Sequence, residues 1–255
     1  METVNNIELN LITIIGFENE SEAYKNVVKT ILTTFINIIN HSNILYDNQD
    51  LFNKISSLKL VKRDKEDHEY VEGTNTLFLS TTNAGGVPYN DEDIIIFLTH
   101  ELVHFCCRMD NGFYKEFIGF DEFFTEFLTS RVVSKCGGIK MESHYREKVQ
   151  GYFDKNDSEL MRCLIGKLGF DNLLEIYLNR DKDKAISIIG QEVLQNINDY
   201  HDYYSEIINI LNKPLRETRI LLQTLVMSQE KNKLDENIGM IKQNINTLAS
   251  KNKSI

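Results

Sequence analysis

The sequence lacks three features, each of which would have assigned it to a broad class of protein. It has no run of 18 apolar residues to span a membrane, and its cysteines form neither a CxxC pair nor a disulfide-framework spacing. It also has no basic stripe, since 28 lysine and arginine residues stand against 38 acidic ones, for a formal net charge of −10. We therefore expect no membrane partner and no nucleic-acid partner, because an acidic surface has no general attraction for phosphate.

The first twenty residues, METVNNIELNLITIIGFENE, have no basic segment, and their apolar run is short and interrupted by Asn and Thr. This pattern is not typical of a secretory signal peptide. Unpaired cysteines are compatible with reduced thiols. We therefore expect a cytoplasmic protein, although a mature chain whose signal had been removed would show the same pattern.

The N-terminal part of the chain mixes strand and helix patterns. Residues 7–15 are rich in Ile and Leu with partial alternation, which favours a strand, and residues 21–40 carry apolar residues at helical spacing. Residues 57–63 and 75–82 also favour strands, joined by a polar hairpin loop that could hold one more short strand. We predict a small mixed sheet with a backbone helix.

Beyond Asp91 almost every segment has helical patterning, and Pro214 is the only proline there. The predicted fold class is therefore α+β, with an all-helical C-terminal part. We divide the chain into residues 1–110 with the sheet, residues 111–212 as a helical lower lobe, and residues 213–255 as a long helix or helical hairpin.

The last segment carries an a/d pattern with 4-3-4-3 spacing, formed by Leu234, Ile238, Ile241, Ile245 and Leu248. Such a seam marks one continuous apolar face on a helix. Two interpretations stay open: the helix packs on its own domain, or it forms a homodimer contact.

The stretch THELVHF, residues 99–105, places His100 and His104 four apart on a predicted helix with acidic residues in its first turn. Positions four apart differ by about 40° around a helix axis, so both imidazoles project from one face and can bind one Zn²⁺. Glu101 then points beside the metal, where a general base must sit to take a proton from water. The competing interpretation is a pair of histidines without a metal.

A catalytic zinc site needs a third protein ligand. Glu122 and Glu126 lie four apart on a second predicted helix, residues 119–138, and 17 residues separate His104 from Glu122, enough for a turn between the helices. Two carboxylates among so many phenylalanines would be costly to bury without a cation or hydrogen-bond donors. We predict Glu122 as the ligand and Glu126 as an acceptor that orients a ligand histidine, although the two could exchange roles or form a solvated stripe.

The pattern HExxH followed by a glutamate on a second helix resembles the gluzincin metallopeptidases, the thermolysin-like clan of zincins. The segment DEFFTEFLTSR, residues 121–131, is similar to the NEGxTEYLT-type and EFFAE-type third-ligand helices of that clan. It differs at Asp121, where asparagine is common, and at Phe123, where glycine is common, and neither difference removes a ligand. The resemblance covers about residues 75–135.

This resemblance implies a zincin-like fold and a zinc-dependent peptidase acting on a peptide or protein substrate. In that clan the strand before the motif helix, here residues 75–82, pairs with extended substrate. A Tyr or His donor for the tetrahedral oxyanion is also usual. Tyr114, eight residues before Glu122, resembles that donor in its placement, and its rivals are His144, Tyr145, His201 and Tyr203.

Three functions are compatible with these residues. The first is a zinc metallopeptidase in which Glu101 activates water, and it is the function we expect because the ligands and the base are all present. The second is a cytoplasmic regulatory zincin that cleaves a single partner protein. The third is a catalytically inactive zincin-fold binding protein, since a motif does not prove activity.

Overall fold

A computed structural model describes residues 22–46, 48–63, 69–82, 88–108, 111–137, 159–212 and 231–247. The predicted strand at residues 7–15 lies outside these ranges. Within them the fold is mixed α+β and mostly helical, with a three-stranded sheet. No helix in this part of the chain is both long and apolar enough to cross a membrane.

The helices and strands follow one another in this order: α1 (Glu22–Asn40), α2 (Asn48–Ser57), β1 (Lys59–Arg63), β2 (Glu69–Val71), β3 (Thr76–Ser80), α3 (Asp91–Phe105), α4 (Phe113–Glu116), α5 (Ile118–Gly137), α6 (159–168), α7 (Phe170–Asn179), α8 (Lys182–Ile188), α9 (Gln191–Asn212) and α10 (231–247). The helix predicted at residues 21–40 and the strands predicted at 57–63 and 75–82 are confirmed as α1, β1 and β3. Sequence patterns did not predict α2, which is short and buries Leu51 and Ile55 one turn apart.

The sheet has the order β1-β3-β2, so β3 lies in its centre. β3 pairs in parallel with β1, with Leu77 opposite Leu60, and antiparallel with β2, with Leu77 opposite Tyr70. The hairpin predicted between β1 and β3 is therefore wrong, because parallel strands need a crossover connection. The tight connection is the 3-10 turn Glu72–Thr74 between β2 and β3.

The central place of β3 also corrects its expected functional role. Its backbone hydrogen-bonding groups face β1 on one side and β2 on the other. A substrate strand can add only to an edge that still has backbone groups to offer. The prediction that residues 75–82 pair with extended substrate is therefore wrong.

The motif helix α3 has acidic residues in its first turn, as expected from the sequence. The Asn90 side chain accepts a hydrogen bond from the Asp93 N–H at 2.8 Å, which caps the first turn. Leu98, Leu102 and Phe105 are buried on the side of α3 that packs against α1, β2 and β3. This burial fixes the rotation of the helix about its axis.

The described residues group into two compact units. The first contains those within Met1–Asp110, Leu128–His144 and Leu178–Arg180, and the second those within Asn111–Phe127, Tyr145–Tyr177 and Asp181–Ile255. The three-part division inferred from the sequence stays a prediction.

The a/d residues of α10 are buried within a single chain. Leu234, Ile238, Ile241 and Ile245 are each 5% exposed or less, and Leu248 lies outside the described residues. Lys242 forms an ion pair of 2.7 Å with Glu159 of α6. These contacts support packing of the helix on its own chain, and a homodimer through α10 stays a prediction.

Helices α5 and α9 approach each other closely at Gly119. A Cβ atom added there would lie 2.6 Å from the Ile197 carbonyl oxygen and 3.0 Å from Cα of Asn198. Both contacts are with backbone atoms, which cannot rotate away as a side chain can. The absence of a side chain at Gly119 is therefore a requirement of this helix packing.

Replacing Gly119 with alanine is expected to lower the free energy of unfolding by about 1–3 kcal/mol, because the two helices must move apart. Urea or thermal unfolding measures the change. Gly239→Ala in α10 is the control, since no atom lies within 4 Å of its added Cβ. That substitution should raise stability by about 0.5–1 kcal/mol through better helix propensity, and equal effects of the two variants would contradict the close approach.

Candidate metal centre

The half-buried side of α3 carries His100, Glu101 and His104. The Nε2 atoms of the two histidines are 3.2 Å apart. Their ring centroids are 4.8 Å apart, with the ring planes inclined by 71°. The spacing of four residues therefore brings the two imidazole nitrogens together, as the helical geometry predicts.

The C-terminal end of α3 is held by side chains from earlier in the chain. The Tyr46 hydroxyl donates a hydrogen bond to the Cys106 carbonyl, and the Lys54 ammonium donates one of 2.7 Å to the Cys107 carbonyl. These groups satisfy carbonyls that a helix end leaves without partners, and the Lys54 charge suits the negative end of the helix dipole. His104 lies two residues before this anchor.

Glu101 is bound to the sheet. Its Oε2 atom accepts a hydrogen bond of 2.9 Å from the backbone N–H of Tyr70 in β2. The Tyr70 ring packs edge-on against Phe105 at 5.3 Å, and its hydroxyl donates to the Asn75 side chain at 2.8 Å. Burial raises the pKa of Tyr70, so its hydroxyl stays protonated and keeps this hydrogen bond.

The adjacent cysteines are part of the packing around α3. Cys106 and Cys107 are both buried. Burial, and then the neighbouring Cys107, raises the pKa of the Cys106 thiol. A thiol kept protonated is a poor metal ligand, so Cys106 contributes to packing at the end of α3.

Glu122 lies in the second turn of α5 and is half-buried. Its Oε1 atom accepts a hydrogen bond of 2.8 Å from the hydroxyl of Tyr114 in α4. Tyr114 itself is 38% exposed. The oxyanion donor favoured from the sequence is thus in direct contact with the favoured third ligand.

His100, His104 and Glu122 each offer one ligand atom, and these three atoms all lie within 4.8 Å of one another. Two ligands of a tetrahedral zinc at 2.0–2.1 Å are about 3.3 Å apart, close to the 3.2 Å between the histidine nitrogens. Two imidazoles and one carboxylate also form the donor set of a catalytic zinc site with one position left for water. The residues present therefore fit a zinc ion.

The remaining candidates have different outcomes. Glu126 is half-buried one turn after Glu122, and its role in orienting a histidine stays a prediction. His144 and Tyr145 lie outside the described residues. The His201 ring packs against Phe123 with 5.7 Å between centroids, and the Tyr203 ring lies 4.4 Å from the Lys233 ammonium.

Two sets of contacts, one with α3 and one with the start of α5, were not predicted. The hydrogen bond between Tyr70 and Glu101 has no sequence signal, because it joins a strand edge to a helix 31 positions later. Asn198 of α9, which contacts the start of α5, had a weak signal. It is a polar residue four positions after Leu194, on the apolar side of an amphipathic helix.

No protein-family model matches this chain, and neither a curated protein nor a solved structure matches it at a significant level. The resemblance to gluzincins therefore rests on the motif residues quoted above.

We expect wild-type protein to hold about one zinc ion per chain after reconstitution, and Glu122→Ala to hold far less, because it would lose one of the three predicted ligands. Mass spectrometry of the native protein, or elemental analysis, measures the ratio. Glu192→Ala, an exposed position on α9, is the matched control and should keep the wild-type zinc content. Equal zinc in wild type and Glu122→Ala would remove Glu122 from the site.

Proposed function

We propose that this protein is a zinc metallopeptidase of the gluzincin type, with a zincin-like fold built around α3. The observation that carries the proposal is the convergence of His100, His104 and Glu122 to within 4.8 Å. Glu101, next to the first of these ligands, supplies a carboxylate for acid–base chemistry. Helical periodicity is enough to explain why the two histidines lie together. The glutamate comes from another helix, α5, and it completes a set of side chains typical of a catalytic zinc site.

A Zn²⁺ ion held by these three residues would supply Lewis-acid chemistry toward water and a peptide carbonyl. Glu101 accepts a proton from the attacking water and then donates it to the leaving amine. Its Oε2 atom is oriented by the Tyr70 N–H, so we assign the proton transfer to Oε1. The edge strand β2 thereby fixes the direction in which the base points.

Tyr114 is assigned as the donor to the negative oxygen that develops on the attacked carbonyl. Its hydroxyl is within one hydrogen bond of the Glu122 carboxylate, at 2.8 Å. A donor aimed at developing charge contributes more to the rate than to substrate binding. Tyr114 is also exposed enough to be reached by a substrate.

The Glu101→Gln variant is expected to keep its zinc and to lose peptidase activity by a factor of about 10²–10⁴, because glutamine cannot transfer the proton. Cleavage of casein and of a random peptide mixture, followed by mass spectrometry, measures it. Glu92→Gln, exposed on the same helix, is the control and should retain wild-type activity. If Glu101→Gln cleaves as fast as wild type, the mechanism is wrong.

The Tyr114→Phe variant is expected to lower kcat by about 10²–10³ with little change in KM, because it removes one oxyanion donor. Phenylalanine keeps the ring, so the fold should be unaffected. His201→Gln, made in parallel, tests the rival donor. Undiminished turnover in Tyr114→Phe would exclude this tyrosine, and a loss confined to His201→Gln would transfer the role.

The same assays distinguish two alternative functions from that of a general peptidase. Cleavage of one partner protein with no cleavage of casein would indicate a regulatory zincin rather than a general peptidase. A catalytically inactive binding protein is favoured by one observation: both Glu101 and Glu122 already accept hydrogen bonds from protein groups, Tyr70 and Tyr114. Bound zinc without cleavage of any protein would support that alternative.

A further inference from the structure

Two residues of the proposed site come from the short helix α4 and the long helix α5, which are separated by a break. Tyr114 lies on α4, which ends at Glu116, and Glu122 lies on α5, which begins at Ile118. Between them Phe117 has φ −129° and ψ 40°, outside the helical region. The separation of Tyr114 and Glu122 therefore depends on how this joint is held.

The joint is bridged by a single buried side chain, Asn198 of α9, which is 8% exposed. Its Nδ2 atom donates a hydrogen bond of 2.6 Å to the Glu116 carbonyl, before the break. Its Oδ1 atom accepts one of 2.9 Å from the Gly119 N–H, after the break. Helix ends leave such backbone groups without intrahelical partners, and one amide side chain satisfies both.

The backbone around this bridge leaves little freedom. Gly119 has no Cβ, which lets the α9 backbone come within contact distance of the α5 backbone at Ile197 and Asn198. One turn further along, the Phe123 ring packs against Tyr200 of α9 with 5.7 Å between centroids. The turn of α5 that carries Glu122 is thus held against α9 at both of its ends, at Gly119 and at Phe123.

An ion pair also reaches the joint, since the Lys182 ammonium lies 3.0 Å from the Glu116 carboxylate. Both side chains are substantially exposed, so solvent screens this pair and it contributes little. The Asn198 amide is buried and bonded to backbone on both sides of the break. It is the stronger constraint of the two.

We propose that Asn198 is a positioning residue for the metal centre, an inference that rests on the proposed function. Its two hydrogen bonds are to backbone groups of Glu116 and Gly119, which are not among the proposed ligands. Its hydrogen bond to Gly119 sets the position of Glu122, which lies three residues later on α5. Its hydrogen bond to Glu116 sets the position of Tyr114, which lies two residues earlier on α4. The 2.8 Å contact between the Tyr114 hydroxyl and the Glu122 carboxylate is the result of that placement.

The test uses full-length Asn198→Leu, which removes both hydrogen bonds at similar volume, and Asn198→Asp, which keeps the acceptor for Gly119 only. The probes are Zn²⁺, whose affinity is measured by competition with a chelator, and Co²⁺, whose visible absorption reports ligand geometry. We expect Asn198→Leu to bind Zn²⁺ about 10–100-fold more weakly, with an altered Co²⁺ spectrum, and Asn198→Asp to be intermediate.

The control is Tyr177→Phe, which removes a buried hydrogen bond of 2.6 Å to Thr125 away from the joint. It should lose stability while keeping the wild-type Zn²⁺ affinity and Co²⁺ spectrum, so that a general loss of stability is separated from misplaced ligands. If Asn198→Leu does not fold, the Zn²⁺ affinity and Co²⁺ spectrum of Asn198→Asp are compared with those of Tyr177→Phe instead.

The outcomes separate this inference from the function on which it rests. Wild-type affinity and spectrum in both Asn198 variants, together with weak binding by Glu122→Ala, would overturn the positioning role and leave the metal centre intact. A wild-type protein that binds neither ion would overturn both. Weakened binding and an altered spectrum in an Asn198 variant, but not in Tyr177→Phe, would support the positioning role.

Discussion

Burial of one side of α3 is the constraint on which the candidate site depends. Leu98, Leu102 and Phe105 are removed from water on the side that meets α1 and the sheet, and apolar burial of this kind is the main stabilising contribution to a fold. A helix whose rotation is fixed in this way also fixes the direction in which the Cα–Cβ bonds of its other residues project. His100 and His104 are therefore held on the same half-buried side, with their nitrogens 3.2 Å apart.

The two carboxylates of the site are each held by a donor from another element. Glu101 accepts a hydrogen bond from a strand backbone, and Glu122 accepts one from a tyrosine hydroxyl. Partly buried carboxylates are costly without such donors, which explains why the two are not left to solvent alone. The donors differ in kind: the Tyr70 amide is part of the sheet, whereas the Tyr114 hydroxyl can rotate. This difference is compatible with the roles proposed for Glu101 as the base and for Glu122 as a metal ligand.

The helical part of the site is organised by backbone contact and not by charge. The formal net charge of the protein is −10, yet the joint that carries Tyr114 and Glu122 is held by the neutral amide of Asn198 and by a glycine. Buried amide hydrogen bonds of this kind are insensitive to salt, and they are specific in geometry because both partners are backbone groups. Metal binding would add to the stability of this arrangement, because an ion that binds only the folded state stabilises that state.

The sequence by itself determined the elements that depend on local geometry. Helical periodicity put His100 and His104 on one face, and the glutamate pattern offered both Glu122 and Glu126 as candidate ligands. The tertiary structure brings Glu122 to within 4.8 Å of the two histidines. Strand order, the place of β3 in the centre of the sheet, and the contacts of Tyr70 were decided by the tertiary structure alone. The physical reason is the range of the interactions. A helix repeats every 3.6 residues, so its faces can be derived from spacing, whereas the hydrogen bond between Gly119 and Asn198 joins residues 79 positions apart and forms only when α9 packs against α5.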